Sequence, residues 1–103
     1  MKQTMDKYMF RDMFMQSDTY KNNFSYEGCH ALFEYLEQLE DDIGEEFEFD
    51  MVAICCDYTE YDSLEDFAHD YSDKWLRVTM DRIREETVVI EIPNTERFII
   101  GEF

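Results

Sequence analysis

Glu46-Phe47-Glu48-Phe49-Asp50-Met51-Val52-Ala53-Ile54-Cys55-Cys56 holds the change of pattern on which the architecture turns. Its first half alternates acid and phenylalanine, the period of two that puts successive side chains on opposite faces of an extended backbone. Its second half is uninterruptedly apolar. A run of that kind after an alternating lead-in reads as a strand buried on both faces, and therefore as the central strand of its sheet. Cys55 and Cys56 then point to opposite faces.

On the C-terminal side, residues 57–62 read as a turn region, and Ser63-Leu64-Glu65-Asp66 opens a short helix carrying Leu64, Phe67, Ala68 and Tyr71. Thr79 caps a further helix to about Glu86, with Met80 and Ile83 inward. Residues 87–92 form a β-branched strand, Pro93-Asn94-Thr95 a turn, and residues 97–103 a last strand, which together make a hairpin.

On the N-terminal side, Ser25 is an N-cap and Gly44 a C-terminal stop, which predicts a long helix ending at Ile43. At 100° per residue Leu32, Leu36, Leu39 and Ile43 fall within about 60° of one another, with Glu27, Glu34, Glu37, Asp41 and Glu45 on the opposite side. One face is core and the other is a ladder of carboxylates. Residues 17–23 are polar and read as a loop. Before them Met1, Met5, Met9 and Met13 recur every four residues, with Tyr8 beside them and Phe10 and Phe14 on the other side, which predicts an amphipathic helix over residues 4–15. Its methionines read as part of a wide core face, with an adaptable docking surface as the alternative.

The element order αα-β-αα-ββ predicts a single α+β domain over residues 1–103: a small antiparallel three-stranded sheet packed against about four helices, the N-terminal helix (1–16) being its most peripheral part. The chain's 103 residues suffice for one core without disulfide staples. Nine Phe, seven Tyr and seven Met supply the bulk that disordered acidic chains lack. The odd cysteine count, Cys29, Cys55 and Cys56, fits reduced thiols better than a disulfide framework.

Charge is the most informative property. Nine Lys and Arg face 26 Asp and Glu, for a net charge of −17, and residues 22–73 contain 17 of those acids and no Lys or Arg. The flanks are balanced, so the whole surplus belongs to the central block. Unrelieved self-repulsion of this kind opposes compaction. It also opposes direct binding to DNA, RNA or anionic membranes, because such binders neutralise phosphates with clustered Lys and Arg. No stretch has the roughly 18–20 apolar residues of a membrane-spanning helix, and the charged start of the chain is unlike a signal peptide. A cytoplasmic location is expected.

Catalytic and cofactor chemistry find little support. Carboxylate pairs arise by chance in such a composition, and general acid–base work needs pairs with separated environments. A Cys-His nucleophile could be drawn from Cys29 or Cys56 with His30 or His69, but Cys29 and His30 diverge by about 100° on a helix, and a small buried hydrophobe with a partly exposed histidine is the expected reading. Structural zinc is not expected, and three scattered glycines, Gly28, Gly44 and Gly101, build no phosphate-cradling loop. Asp41-Asp42-Ile43-Gly44-Glu45-Glu46 lacks the alternating oxygen ligands of a calcium loop. The expectation is a non-enzyme with no metal and no cofactor.

Aromatic rings interleave with the acids in Asp57-Tyr58-Thr59-Glu60-Tyr61-Asp62. They read either as anchors within an acidic binding surface or as a roof over a small core. Asn23-Phe24-Ser25-Tyr26-Glu27-Gly28, Ala31-Leu32-Phe33-Glu34-Tyr35-Leu36-Glu37 and Ala53-Ile54-Cys55-Cys56-Asp57-Tyr58-Thr59-Glu60-Tyr61 resemble small acidic proteins of phages and mobile elements, as do the C-terminal Thr87-Val88-Val89-Ile90 and Phe98-Ile99-Ile100-Gly101-Glu102-Phe103. That family supplies no catalytic motif. In size and charge the chain is also similar to anti-CRISPR and antirestriction proteins that mimic nucleic acid. This resemblance implies an inhibitor whose partner is a basic, nucleic-acid-binding host protein. The expected contact residues are Glu34, Glu37, Asp41, Glu45, Asp57, Glu60 and Asp62, with Tyr58 and Tyr61 as anchors. The competing expectation is a non-catalytic adaptor or homodimer built on the Met-rich helix, with acidity serving solubility.

Overall fold

The computed structural model describes residues 5–71 and 77–102; Met1, the first residues of the N-terminal helix expectation and Phe103 of the last strand lie outside them. The described elements are helices α1 (Lys7–Met15), α2 (Tyr26–Ile43) and α3 (Met51–Asp57), strand β1 (Tyr58–Tyr61), helices α4 (Leu64–Tyr71) and α5 (Met80–Glu86), and strands β2 (Val89–Glu91) and β3 (Phe98–Gly101). The fold is α+β, with one antiparallel three-stranded sheet in the order β1-β3-β2.

Local chemistry explains most boundaries. Asp6 caps α1 by accepting from the N–H groups of Tyr8 and Met9, Ser25 caps α2 through Gly28 N–H, and Thr79 caps α5 through Arg82 N–H. Gly44 ends α2 in the left-handed region, φ 73°, its N–H donating to Glu40 O at 2.8 Å. No described helix is long and apolar enough to cross a membrane.

Residues 46–56 correct the sequence expectation. The alternation of residues 46–50 is real: Phe47 and Phe49 pack into the core while Glu46, Glu48 and Asp50 face solvent. The segment nevertheless pairs with no described strand, and the apolar run after it is helical. Asp50 is the reason at its start, accepting from Ala53 N–H at 3.1 Å as an N-cap. Burial then follows a helical spacing, with Ile54 buried, Met51 and Cys55 half-buried, and Val52, Ala53 and Cys56 exposed. A short apolar run has no period of its own to separate strand from helix.

The first strand instead comes from residues 58–61, within the expected turn region. It pairs with β3 from Tyr58↔Gly101 to Tyr61↔Phe98, and β2 pairs with β3 from Val89↔Ile100 to Glu91↔Phe98. The central strand is therefore β3, all four of whose residues are buried. Its alternation serves two cores. Ile99 joins Phe10, Phe14, Leu32, Leu36 and Ile90 beneath α1 and α2, while Phe98 and Ile100 join Phe67 and Ile83 beneath α4 and α5. Helices thus cover both faces of the sheet.

The buried faces of α1 and α2 also differ from the expected ones. Phe10 and Phe14 are fully buried, whereas Met9 and Met13 are 46% and 44% exposed. The aromatic rows make the deeper contacts, Phe10 and Phe14 each packing edge-on to Phe49, so α1 belongs to the core. On α2 the buried stripe is Cys29, Leu32, Phe33, Leu36 and Glu40, and Ile43 is 51% exposed. The stripe turns toward Glu40 because the chain folds back after Gly44, and Glu40 Oε2 accepts from Phe47 N–H at 2.6 Å.

Candidate functional site

The expected contact residues separate into two groups. Glu34, Asp41 and Glu45 are exposed along α2 and just beyond it, and Glu37 is half-buried between them. Glu37, Glu40, Asp41, Glu45 and Glu46 line one concave surface at the C-terminal end of the helix. Among the described residues Glu34, Asp41, Asp42, Glu45 and Glu46 take part in no ion pair. The helix macrodipole adds partial negative charge at the same end.

The second group sits around β1 and is used differently. Glu60, expected as a surface carboxylate, has a side chain only 3% exposed. Its Oε1 accepts from Ser25 N (3.0 Å) and Ser25 Oγ (3.1 Å), and its Oε2 accepts from Arg97 Nε at 2.9 Å. The second arm of Arg97 reaches Asp62 at 2.7 Å. Gly28 makes room for this arrangement, because a Cβ there would collide with Glu60 Oε1. Glu60 thus lies at the N-terminal end of α2, where the macrodipole favours a negative charge. The Glu60 hydrogen bond holds the Arg97 guanidinium above its ordinary pKa, against the opposing effect of burial. Glu60 is a structural clip, and Asp62 is exposed but already paired.

Tyr58 and Tyr61 are half-buried and pack on opposite faces of the sheet. Tyr58 meets Tyr35 edge-on at 6.2 Å, while Tyr61 lies between Phe67 and Phe98 at 5.2 and 5.9 Å. Burial, followed by the neighbouring Tyr71 and Asp70, pushes the Tyr61 hydroxyl up to about 12. Burial likewise raises Tyr58, with Tyr35 and Asp57 adding to it. Both rings pack against a core, Tyr58 on one face of the sheet and Tyr61 on the other.

An α2 of 18 residues spans about 25 Å, so the Glu60 clip and the Glu45 end do not form one patch. What joins the C-terminal half of α2 is the segment behind it. Glu48, Asp50 and Asp57, all exposed, lie beside a groove between α2 and α3 to which Tyr58 also contributes. Glu46, Glu48 and Asp50 were missing from the expected contact set. Their signal was the alternation with Phe47 and Phe49, which turns every acid of that segment outward.

Two of the three cysteines are shifted away from the thiolate. Cys29 is fully buried, and burial, followed by the charge of Glu60, pushes its thiol up to about 12. Burial also raises Cys55. His30 packs edge-on against Tyr8 at 5.6 Å. Among the described residues no group of three or more His, Cys, Asp or Glu side chains is arranged to hold a metal ion.

No protein-family model, no curated protein and no solved structure matches this chain.

Proposed function

We propose that this protein is a phage-type inhibitor that occludes a basic nucleic-acid-binding surface of a host defence protein, in the manner of anti-CRISPR or antirestriction mimics. The observation that carries the reading is the set of exposed carboxylates from the middle of α2 through the segment after it, Glu34, Asp41, Asp42, Glu45, Glu46, Glu48 and Asp50. Carboxylates one helical turn apart are spaced about 5.4 Å along the axis, of the same order as successive phosphates on one strand. Acids at a helix C-terminus oppose the macrodipole, so their placement there does not serve helix stability and supports another use. A field of one sign accelerates encounter with a basic partner and falls away with salt.

The test is affinity purification from a host-cell lysate at low and then high salt. The expected proteins are basic, are released by salt and are competed off by DNA or RNA oligonucleotides. The triple variant Glu34→Lys, Asp41→Lys, Glu45→Lys should retrieve none of them; recovery of the same set, or of acidic partners alone, would overturn the reading.

One observation favours a second reading. Tyr8, Met9 and Met13 on α1 are 53%, 46% and 44% exposed, an apolar face suited to a homodimer or adaptor contact. A concentration-dependent dimer mass insensitive to salt, abolished by Met9→Lys, would support that reading instead.

A further inference from the structure

The geometry points to the groove between the C-terminal half of α2 and α3 as an anchor site for one bulky apolar side chain presented by a Lys- and Arg-rich segment of the partner protein. The inference rests on the inhibitor reading and names the feature by which the partner is gripped rather than merely attracted.

Three observations carry it. The walls are apolar, with Leu39, Phe47 and Ala53 facing the groove and Tyr58 beside them. Ala53 is exposed and its neighbour Val52 is 54% exposed, so α3 presents apolar surface to solvent with no described element over it. Among the described residues the charged ones around the groove are Glu48, Asp50 and Asp57, all acidic. That ring repels acidic or phosphorylated segments and favours a cationic one, and a net charge of −17 per chain opposes a second copy as the occupant. The volume, about 220 Å³, lies below the roughly 300–1,000 Å³ of pockets that enclose a whole small molecule. It suits a single large side chain. A desolvated apolar anchor inside a polar rim is the arrangement that concentrates binding energy at interfaces.

The experiment titrates the intact protein into a labelled eleven-residue peptide of Lys, Arg and Ser with a central Trp, read by fluorescence anisotropy at low salt. Two control peptides replace the Trp by Ala, or every Lys and Arg by Glu. The Trp peptide is expected to bind at least 10-fold more tightly than its Ala counterpart, the scale of burying one aromatic side chain. Ala53→Phe, which fills the groove at an exposed position, should erase that difference and leave the salt-dependent binding of the Ala peptide intact. Amide shift changes on the unmodified protein, expected at Leu39, Ala53 and Tyr58, give the same answer without any variant.

Equal binding of the Trp and Ala peptides would overturn the anchor while leaving the acidic-surface reading in place. Failure of both basic peptides to bind would overturn both. Equal binding of the Glu-substituted peptide would overturn the cationic occupant. Sedimentation showing a dimer with these three residues protected would replace the partner segment by a second copy.

Discussion

At the N-terminal end of α2 the Glu60 carboxylate is buried and accepts hydrogen bonds from Ser25 and Arg97, whereas at the C-terminal end Asp41 and Glu45 stand in solvent without an ion pair among the described residues. The two ends belong to the same base-free block of sequence, so composition does not distinguish them. Position relative to the helix dipole and to Arg97 does. An acid over the first turn, facing orphan N–H groups, stabilises the fold. An unpaired acid in or just past the last turn works against it.

The largest effect is expected at the clip. Arg97→Leu leaves Glu60 buried without its cation. Removing one partner of a buried pair costs roughly 3–5 kcal/mol, and because the Arg97 side chain is itself 39% exposed the expected loss is about 2 kcal/mol. Urea unfolding measures it, and an unchanged midpoint would show that the clip holds nothing. Gly28→Ala should come next. Alanine favours a helix by about 1 kcal/mol, but its Cβ displaces the Glu60 carboxylate, for a net loss of about 1–2 kcal/mol. A stabilised variant would mean that Glu60 moves aside freely.

Between the two ends lies Glu40. Burial raises its pKa, but the Phe47 N–H bond and other favourable contacts outweigh that, so the carboxyl sits below its ordinary 4.5 in the folded protein. A depressed folded value contributes stability that is present above the unfolded pKa and is lost as pH falls through the folded one. Glu40→Gln should therefore lose about 1 kcal/mol at neutral pH. Its thermal midpoint should also fall less steeply than that of the unmodified protein as the pH drops below about 4.5. Parallel acid profiles would remove Glu40 from the account. The smallest effect is expected at the free end, where Asp41→Asn with Glu45→Gln should gain a few tenths of a kcal/mol per site through the dipole, an increment that shrinks with added salt. A loss there would mean that these acids already have structural partners.

What could be read from the sequence was whatever a few adjacent residues encode. Ser25, Gly44 and Thr79 mark helix ends through their own side-chain or backbone chemistry, and Pro93-Asn94 marks the hairpin, where Asn94 takes φ 64°. The misreadings share one physical origin, in that the deciding partner is remote. Whether Met51–Cys56 is strand or helix depends on whether a neighbouring strand is available, and β3 is instead taken by Tyr58–Tyr61, some 40 positions away along the chain. Asp50 did offer a local clue, as an N-cap before an apolar run. The rule that a strand apolar on both faces lies at the centre of its sheet was sound, but it belonged to Phe98-Ile99-Ile100. The same limit governs the site. Glu60 looks like every other acid of the block until Arg97, 37 residues later, folds against it, while the carboxylate ladder on α2 follows from helical period alone.

The order β1-β3-β2 also has a bearing on biosynthesis. Among the described strands both outer ones hydrogen-bond to β3 alone, which follows them in the chain, so this sheet cannot assemble until residues 98–101 have been made. At roughly 5–20 residues per second, β1 then waits ~2–8 s for its partner. Throughout that interval the nascent chain can form helices but has no sheet to cover their apolar sides, and the acids of residues 22–73 supply a like-charge repulsion that opposes association of neighbouring copies.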